Sequence, residues 1–284
     1  KLDEKGKPIE TYVKVQKEAN HLVEEFMLLA NKHVAEYIGK PEQNKKNKTF
    51  VYRIHDEPNP EKLNTFVQFL KKLGYSLNVS SRESLAASYN SLFEKIHGRG
   101  EENMIETIAV RTMAKAEYST ENIGHYGLAF PYYSHFTSPI RRYPDLMVHR
   151  LLQKYLEGGA SANKEVYEEM CKHSSEMERK AVQAERDSIK YKQVEFMMDK
   201  EGKIFDGKIS GVSKWGIFVE LNISKSEGLI RFSELDDDFY YLDEENYRII
   251  GRKGGKMFRL GDQVKVLVKH VDMEQRKLDF TLVE

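Results

Sequence analysis

The 284-residue sequence predicts an α+β protein in which a mainly helical portion, residues 1–200, is followed by a small five-stranded β-barrel, residues 201–284. Two observations predict it. Up to Asp199 apolar residues recur at i, i+3 and i+4, the spacing that buries one face of a helix. Beyond Gly202 the pattern changes to five short runs rich in Ile, Val and Phe, separated by Gly and acidic turns, which suits a small closed barrel.

Between Ala19 and Ile38 the residues Leu22, Phe26, Leu29, Ala30 and Val34 form the buried stripe expected of a core helix. The lysine-rich stretch Gly39 to Lys48 reads as a solvated loop ahead of the extended run Phe50 to Ile54. Asn59-Pro60-Glu61 can cap a helix, since a proline in the first turn lacks only a donor that would have no partner there. Leu63, Phe66, Val67, Leu70 and Leu73 give that helix its apolar face, and Gly74 ends it. Two more helices carry Leu85, Tyr89, Leu92, Phe93 and Ile96, then Met104, Ile105, Ile108 and Met113. Another should start near Pro144 and stop at Gly158-Gly159, and a long one should run from about Asn163 to Asp199. The strands are expected at Lys203 to Ser210, Gly216 to Leu221, Gly228 to Phe232, Gln263 to Val271 and Lys277 to Val283.

No apolar run approaches the roughly 20 residues a membrane-crossing helix needs, so no membrane partner is expected. The single cysteine, Cys171, rules out an internal disulfide and leaves no Cys/His zinc spacing, which favours a reducing, cytoplasmic setting. Forty-five basic residues balance 45 acidic ones, so any polyanion must meet a local patch. Gly251 to Lys277 carries eight Arg or Lys against three acids, whereas Asp236 to Glu245 carries six acids and no base. An electrically two-sided barrel is expected, with Asp236-Asp237-Asp238 simply solvated.

The densest group of reactive residue types is His125-Tyr126-Gly127-Leu128, then His135-Phe136-Thr137-Ser138-Pro139-Ile140-Arg141-Arg142-Tyr143-Pro144-Asp145-Leu146, then His149-Arg150. Arg141-Arg142 follows Pro139 and would be presented from a constrained turn just before a helix, where a planar guanidinium can bind phosphate through two parallel bonds. The plainer reading of an arginine pair is a solvated surface. Asp145 and His149, four apart, could share a metal, but the spacing fits better a helix-start carboxylate hydrogen-bonded to the histidine. The rings around His125 and His135 fill a core or stack on bases. Glu178-Arg179 and Glu185-Arg186 stand two helical turns apart, on one side of the long helix.

The H-F-T-S-P-I-R-R-Y-P-D-L run resembles the signature of the ribonuclease II/ribonuclease R family of processive 3′-to-5′ exoribonucleases, and Arg142 and Pro144 are closer to its ribonuclease R branch. Glu24 to Asn31, Tyr52-Arg53-Ile54-His55 and Ala184-Glu185-Arg186-Asp187 look like further pieces of the same catalytic domain. Residues 201–284 resemble an S-one type RNA-binding domain, an OB-fold, through Gly207-Lys208-Ile209, Gly216 to Val219, Gly228-Leu229-Ile230 and Leu260 to Val264. The resemblance implies the second half of an RNB-type catalytic domain followed by that barrel. It implies hydrolysis of single-stranded RNA to 5′-mononucleotides, with Arg141 as the catalytic arginine. Arg142, His125, Tyr143, Glu185 and Arg186 would lie near RNA, and Trp215, Phe218 and Arg231 would hold bases on the barrel. Such enzymes use Mg2+ held by an aspartate cluster, D-x-x-x-x-x-D-x-D-D, and no such cluster precedes His125. No metal ligand is therefore assigned to this chain, which is expected to be a piece of a longer polypeptide, inactive alone and monomeric. One rival is a non-catalytic single-stranded RNA-binding protein that kept the channel and barrel. A third reading makes His125, His135, Asp145 and His149 an independent metal-hydrolase site.

Overall fold

The computed structural model describes residues 1–12, 15–40, 47–99, 101–235 and 237–283. Residues 41–46 of the expected lysine-rich loop, and Asp236, lie outside the described residues. In chain order the elements are α1 (Glu18–Gly39), β1 (Tyr52–Ile54), α2 (Pro60–Lys72), α3 (Arg82–Ile96), α4 (Glu102–Thr112), β2 (Glu117–Ser119), α5 (Tyr143–Leu156) and α6 (Lys164–Met197). They continue with β3 (Ile204–Ser213), β4 (Gly216–Leu221), β5 (Glu227–Arg231), β6 (Tyr240–Asp243), β7 (Arg248–Gly251), β8 (Met257–Arg259), β9 (Gln263–Asp272) and β10 (Lys277–Val283). They fall into two compact units. One comprises Lys1–Val13, Pro60–Thr112 and Glu185–Glu284; the other comprises Lys14–Asn59 and Met113–Ala184.

The second unit is built on α1, α5 and the first half of α6, with β1 and β2 paired antiparallel. Arg142 is the extended residue before α5, Pro144 and Asp145 occupy its first turn, and Gly158, at φ +82°, follows its end. Met147, Val148, Leu151 and Tyr155 turn its apolar face onto Phe50, Tyr52 and Cys171. The stripe expected to be buried on α1 is so only at its end: Val34 packs against the core, whereas Leu22, Phe26 and Leu29 are 60, 63 and 49 % exposed. The helix is buried instead through Asn31, Ala35 and Gly39. Helical periodicity marks a face but does not say what covers it, and the close approach is made where side chains are small. A Cβ on Gly39 would lie 2.6 Å from the Tyr52 hydroxyl.

In the other unit the barrel closes in the order β10-β5-β4-β3-β9, with a parallel contact between β5 and β10 and antiparallel pairing elsewhere. Ile209, Ile217, Val219, Ile230, Val266 and Phe280 fill it, and Val194 and Met197 from the end of α6 join the same core. Each inward residue alternates with an outward one, as the pleat requires. Between β5 and β9 the sequence reading saw only an acidic loop and a basic stretch. The structure places there an antiparallel sheet, β6-β7-β8, whose few apolar residues, among them Ile249 and Phe258, point into the core.

This sheet brings part of the acidic stretch against part of the basic one. Asp243 holds Arg248 at 2.8 Å, Asp237 holds Lys256 at 3.0 Å, and Asp238 accepts the backbone N–H groups of Lys253 and Gly254 at 2.7 Å each. Asp237 and Asp238 therefore shape a loop instead of being merely solvated. Helix α2 meets the insertion through Phe69, edge-on to Tyr247 at 5.4 Å, and through Lys72 Nζ, which donates to Asn246 Oδ1 at 3.1 Å.

Gly216 starts β4 at φ +143°, and a Cβ there would stand 2.0 Å from the Ile230 carbonyl oxygen on the paired strand. Gly216→Ala should therefore destabilise the barrel by at least about 2 kcal/mol, from backbone strain and steric displacement together. Urea denaturation followed at Trp215 measures this; an unchanged midpoint would contradict the strand geometry described.

Candidate functional site

Ser138 to Arg142 forms the turn that the Arg pair needs. The Ser138 carbonyl accepts N–H bonds from Arg141 at 3.3 Å and Arg142 at 3.0 Å, and Ile140 at the tip is fully exposed. Arg141 is exposed, and among the described residues no hydrogen bond or ion pair engages its guanidinium. Arg142 differs: its side chain is 18 % exposed and donates from Nη2 to Asp145 Oδ1 at 2.8 Å. The same Oδ1 accepts the Ser138 backbone N–H at 2.7 Å. Tyr143, next to the pair, is half exposed.

The pairing of Asp145 with His149 expected from their spacing does not form. His149 donates from Nε2 to the Phe136 carbonyl at 2.8 Å, and its ring stacks on Phe136 at 4.0 Å. Asp145 lies at the start of α5 beneath the turn, so the turn's own donors reach it.

The segment leading into the turn is fixed from three directions. Asn31, buried on α1, donates to the Tyr133 hydroxyl at 3.1 Å and accepts the Phe136 N–H at 2.9 Å. The Ser134 hydroxyl donates to the Val51 carbonyl at 2.6 Å. Arg53 donates its backbone N–H to the Tyr133 carbonyl, forks onto Glu178 at 2.6 and 3.1 Å, and lies 4.6 Å over the Tyr118 ring. Sequence reading singled out none of Asn31, Arg53 or Glu178 as individual functional residues. Asn31 and Arg53 did stand in runs noted for resemblance, whereas nothing in the sequence announces a partner for Arg53 that lies 125 positions away.

Three histidines sit within this frame in separate bonds. His55 donates from Nε2 to the Ala114 carbonyl and accepts the Gly127 N–H on Nδ1, both at 2.9 Å. His125 accepts the Leu128 N–H on Nδ1 at 3.2 Å, and its ring centre is 5.1 Å from that of His55. His135 lies 2.8 Å from the Tyr118 hydroxyl through Nδ1. Burial pushes the Tyr118 phenol up to about 12, so it keeps its proton and donates. Burial first, then the Arg142 and Arg53 charges, push His135 down to about 2, which keeps the imidazole neutral. Among the described residues no three His, Cys, Asp or Glu side chains group to hold a metal ion. His125, His135, Asp145 and His149 are engaged one by one, so the independent metal-hydrolase arrangement is not built.

On the barrel, Trp215, Phe218 and Arg231 line one cavity of about 380 Å³ with Lys190 and Lys277. Trp215 is 65 % exposed with Lys214 Nζ 5.1 Å over its ring, and neither Trp215 nor Phe218 belongs to the barrel core. Arg231 pairs loosely with Asp279 at 3.3 Å. Lys190 also borders a neighbouring cavity lined by Arg186, Gln193, Glu220 and Glu227. Arg186 thus borders the neighbouring cavity and not the one that holds the rings, while the adjacent Glu185 is exposed on α6 and lines neither cavity. Two exposed or half-buried rings bordered by Lys and Arg form a surface suited to stacked bases and a phosphate backbone.

The RNB domain family matches residues 1–158 and the S1 RNA binding domain family matches residues 198–282. The chain is 40% identical over 289 residues to ribonuclease R of Aquifex aeolicus, covering all of this chain and 40% of that protein. It is 38% identical over 279 residues to ribonuclease R of Escherichia coli K12, covering 94% of this chain and 34% of that protein. The apo form of Mycoplasma genitalium RNase R is structurally similar, with a TM-score of 0.88 at 27% identity over 99% of this chain and 44% of that one. The chain therefore spans 34 to 40% of the length of these two curated relatives.

The His135 environment makes a pH prediction. The unfolded chain takes up a proton near the ordinary value of 6.5 and the folded ring only near 2. Acidification across that window therefore favours unfolding, and the contribution is fully present only above 6.5. In His135→Asn, which still offers an acceptor to Tyr118, this part of the acid sensitivity should vanish. The stability advantage of wild type over the variant should shrink as pH falls from 6.5 toward 3 in denaturant titrations; a pH-independent difference would refute it.

Proposed function

Because the chain belongs to the RNB family, alongside ribonuclease R, we propose that it works as part of a 3′-to-5′ exoribonuclease that hydrolyses single-stranded RNA to 5′-mononucleotides. The observation that carries this reading is Arg141, an exposed and unpaired guanidinium on a turn tied down at both ends. In the reaction, water attacks the last phosphodiester phosphorus and the bond to the 3′ oxygen of the preceding nucleotide breaks. That oxygen takes up a proton, and the terminal nucleotide leaves with a 5′-phosphate. Negative charge builds on the non-bridging phosphate oxygens in the transition state, and a rigidly presented guanidinium fork binds them best at that moment. Two features around it serve the same end. His135 stays neutral beside it, and Arg142, engaged with Asp145, holds the backbone instead of competing for the phosphate. The barrel holds the strand by stacking bases on Trp215 and Phe218, with Arg231, Lys190 and Arg186 toward phosphates.

Magnesium would supply this hydrolysis with a counter-charge and an activated water. Among the described residues no three His, Cys, Asp or Glu side chains group to hold a metal ion. The structure of Mycoplasma genitalium RNase R in complex with ribose methylated single-stranded RNA lends the substrate class its support.

Two experiments test the reading. Trp215→Ala and Phe218→Ala should each weaken binding of an oligoadenylate to the 284-residue chain by about 1–3 kcal/mol without unfolding it, because stacking is removed from a surface and not from a core. Unchanged affinity in a folded double variant would take these rings out of the interface. In an enzyme of the relatives' full length carrying this sequence, Arg141→Ala should lower kcat by roughly 100-fold or more and weaken RNA binding by a much smaller factor, roughly three- to tenfold, as for loss of a donor whose contact strengthens with developing charge. A normal kcat with a raised KM would reassign Arg141 to substrate binding.

A further inference from the structure

An arginine that must meet a phosphate cannot be held by its own head group, since any partner would neutralise it. Its placement has to come from the backbone, where the Ser138 carbonyl accepts the Arg141 N–H at 3.3 Å and the Arg142 N–H at 3.0 Å. Asp145 supplies the rest. Its carboxylate is wholly buried and its Oδ1 accepts twice, from the Ser138 N–H at 2.7 Å and from Arg142 Nη2 at 2.8 Å. Ser138 opens the turn and Arg142 directly follows Arg141, so one oxygen grips the segment on both sides of the residue it presents. Hydrogen bonds to an ionised acceptor are shorter and about twice as strong as neutral ones. The grip is itself anchored, because Asp145 sits in the first turn of α5, whose Met147, Val148 and Leu151 are packed in the core and whose N-terminus favours negative charge.

The arrangement is not the one stability alone would select. Asp145 Oδ2, Arg142 Nε and Thr137 Oγ1 are buried without a hydrogen-bond partner, all within residues 137–145. Unsatisfied buried polar atoms are costly and rare, and they collect where geometry is held for another purpose. We infer that Asp145 is a positioning residue for the exoribonuclease reaction, fixing through the Ser138 amide and the Arg142 guanidinium the turn that presents Arg141. The inference rests on the reading of Arg141 as a phosphate contact.

The test uses the 284-residue chain, a fluorescent single-stranded oligoadenylate and amide hydrogen exchange. In wild type the Ser138 amide should exchange at least tenfold more slowly than that of exposed Ile140, and Asp145→Asn should remove most of that protection. Arg141→Ala should weaken oligoadenylate binding roughly three- to tenfold, the loss of one charge-assisted phosphate contact. Asp145→Asn should weaken it by a similar factor in the wild-type background and by none in the Arg141→Ala background. If Arg141→Ala leaves affinity unchanged, the reading of Arg141 fails. If Arg141→Ala weakens binding but Asp145→Asn does not, or does so equally in both backgrounds, the positioning role is overturned. Should Asp145→Asn fail to fold, an unprotected Ser138 amide in wild type overturns the role by itself, and a protected one supports it.

Discussion

A cation kept for a phosphate must stay unpaired, and in a folded protein that demand is transmitted to every neighbour able to pair with it. Around Arg141 the carboxylate closest in sequence, Asp145, is occupied by Ser138 and Arg142. The next strong acid of this unit to reach the frame, Glu178, is occupied by Arg53. The imidazole of His135 is kept neutral by burial and by the two framing arginines. These engagements leave the carboxylates and the imidazole of the frame each with a partner of its own.

The barrel meets a different constraint. A small closed sheet must spend most of its inward positions on apolar side chains, and here those are supplied by alternation along β3, β4, β5, β9 and β10. Outward positions are then free to carry rings. Trp215 precedes the tight start of β4 and Phe218 sits on an outward position of that strand, so both border the cavity that Arg231 and Lys277 share. The basic residues that matter on this face are scattered in sequence, from Lys190 on α6 to Lys277 on β10. Within the most basic continuous stretch, Lys256 and Lys269 are paired with Asp237 and Glu234.

The element plan was largely legible in the sequence. The five barrel strands, α2, α5 and α6 lie within a few residues of where periodicity, Pro and Gly put them. The motif from His135 to Leu146 singled out Arg141, and the short aromatic run at the start of β4 singled out Trp215 and Phe218. These are local properties: repeat period, turn chemistry and residue type act over a handful of positions.

What only the tertiary structure decided is which groups meet. Leu22, Phe26 and Leu29 have the right period for a core face and are exposed, because burial depends on a neighbour that periodicity cannot name. The sheet β6-β7-β8 was hidden in a charged stretch because its strands are only three or four residues long and turn few apolar side chains inward, too short a run for alternation to stand out. Asp145 pairs with Arg142 and the Ser138 amide instead of His149, four residues on, because the chain doubles back above the helix start. Arg53 finds Glu178 across 125 positions. Sequence determined the elements and the chemical groups, whereas charge pairing, burial and the freedom of Arg141 depend on distances through space that chain separation does not encode.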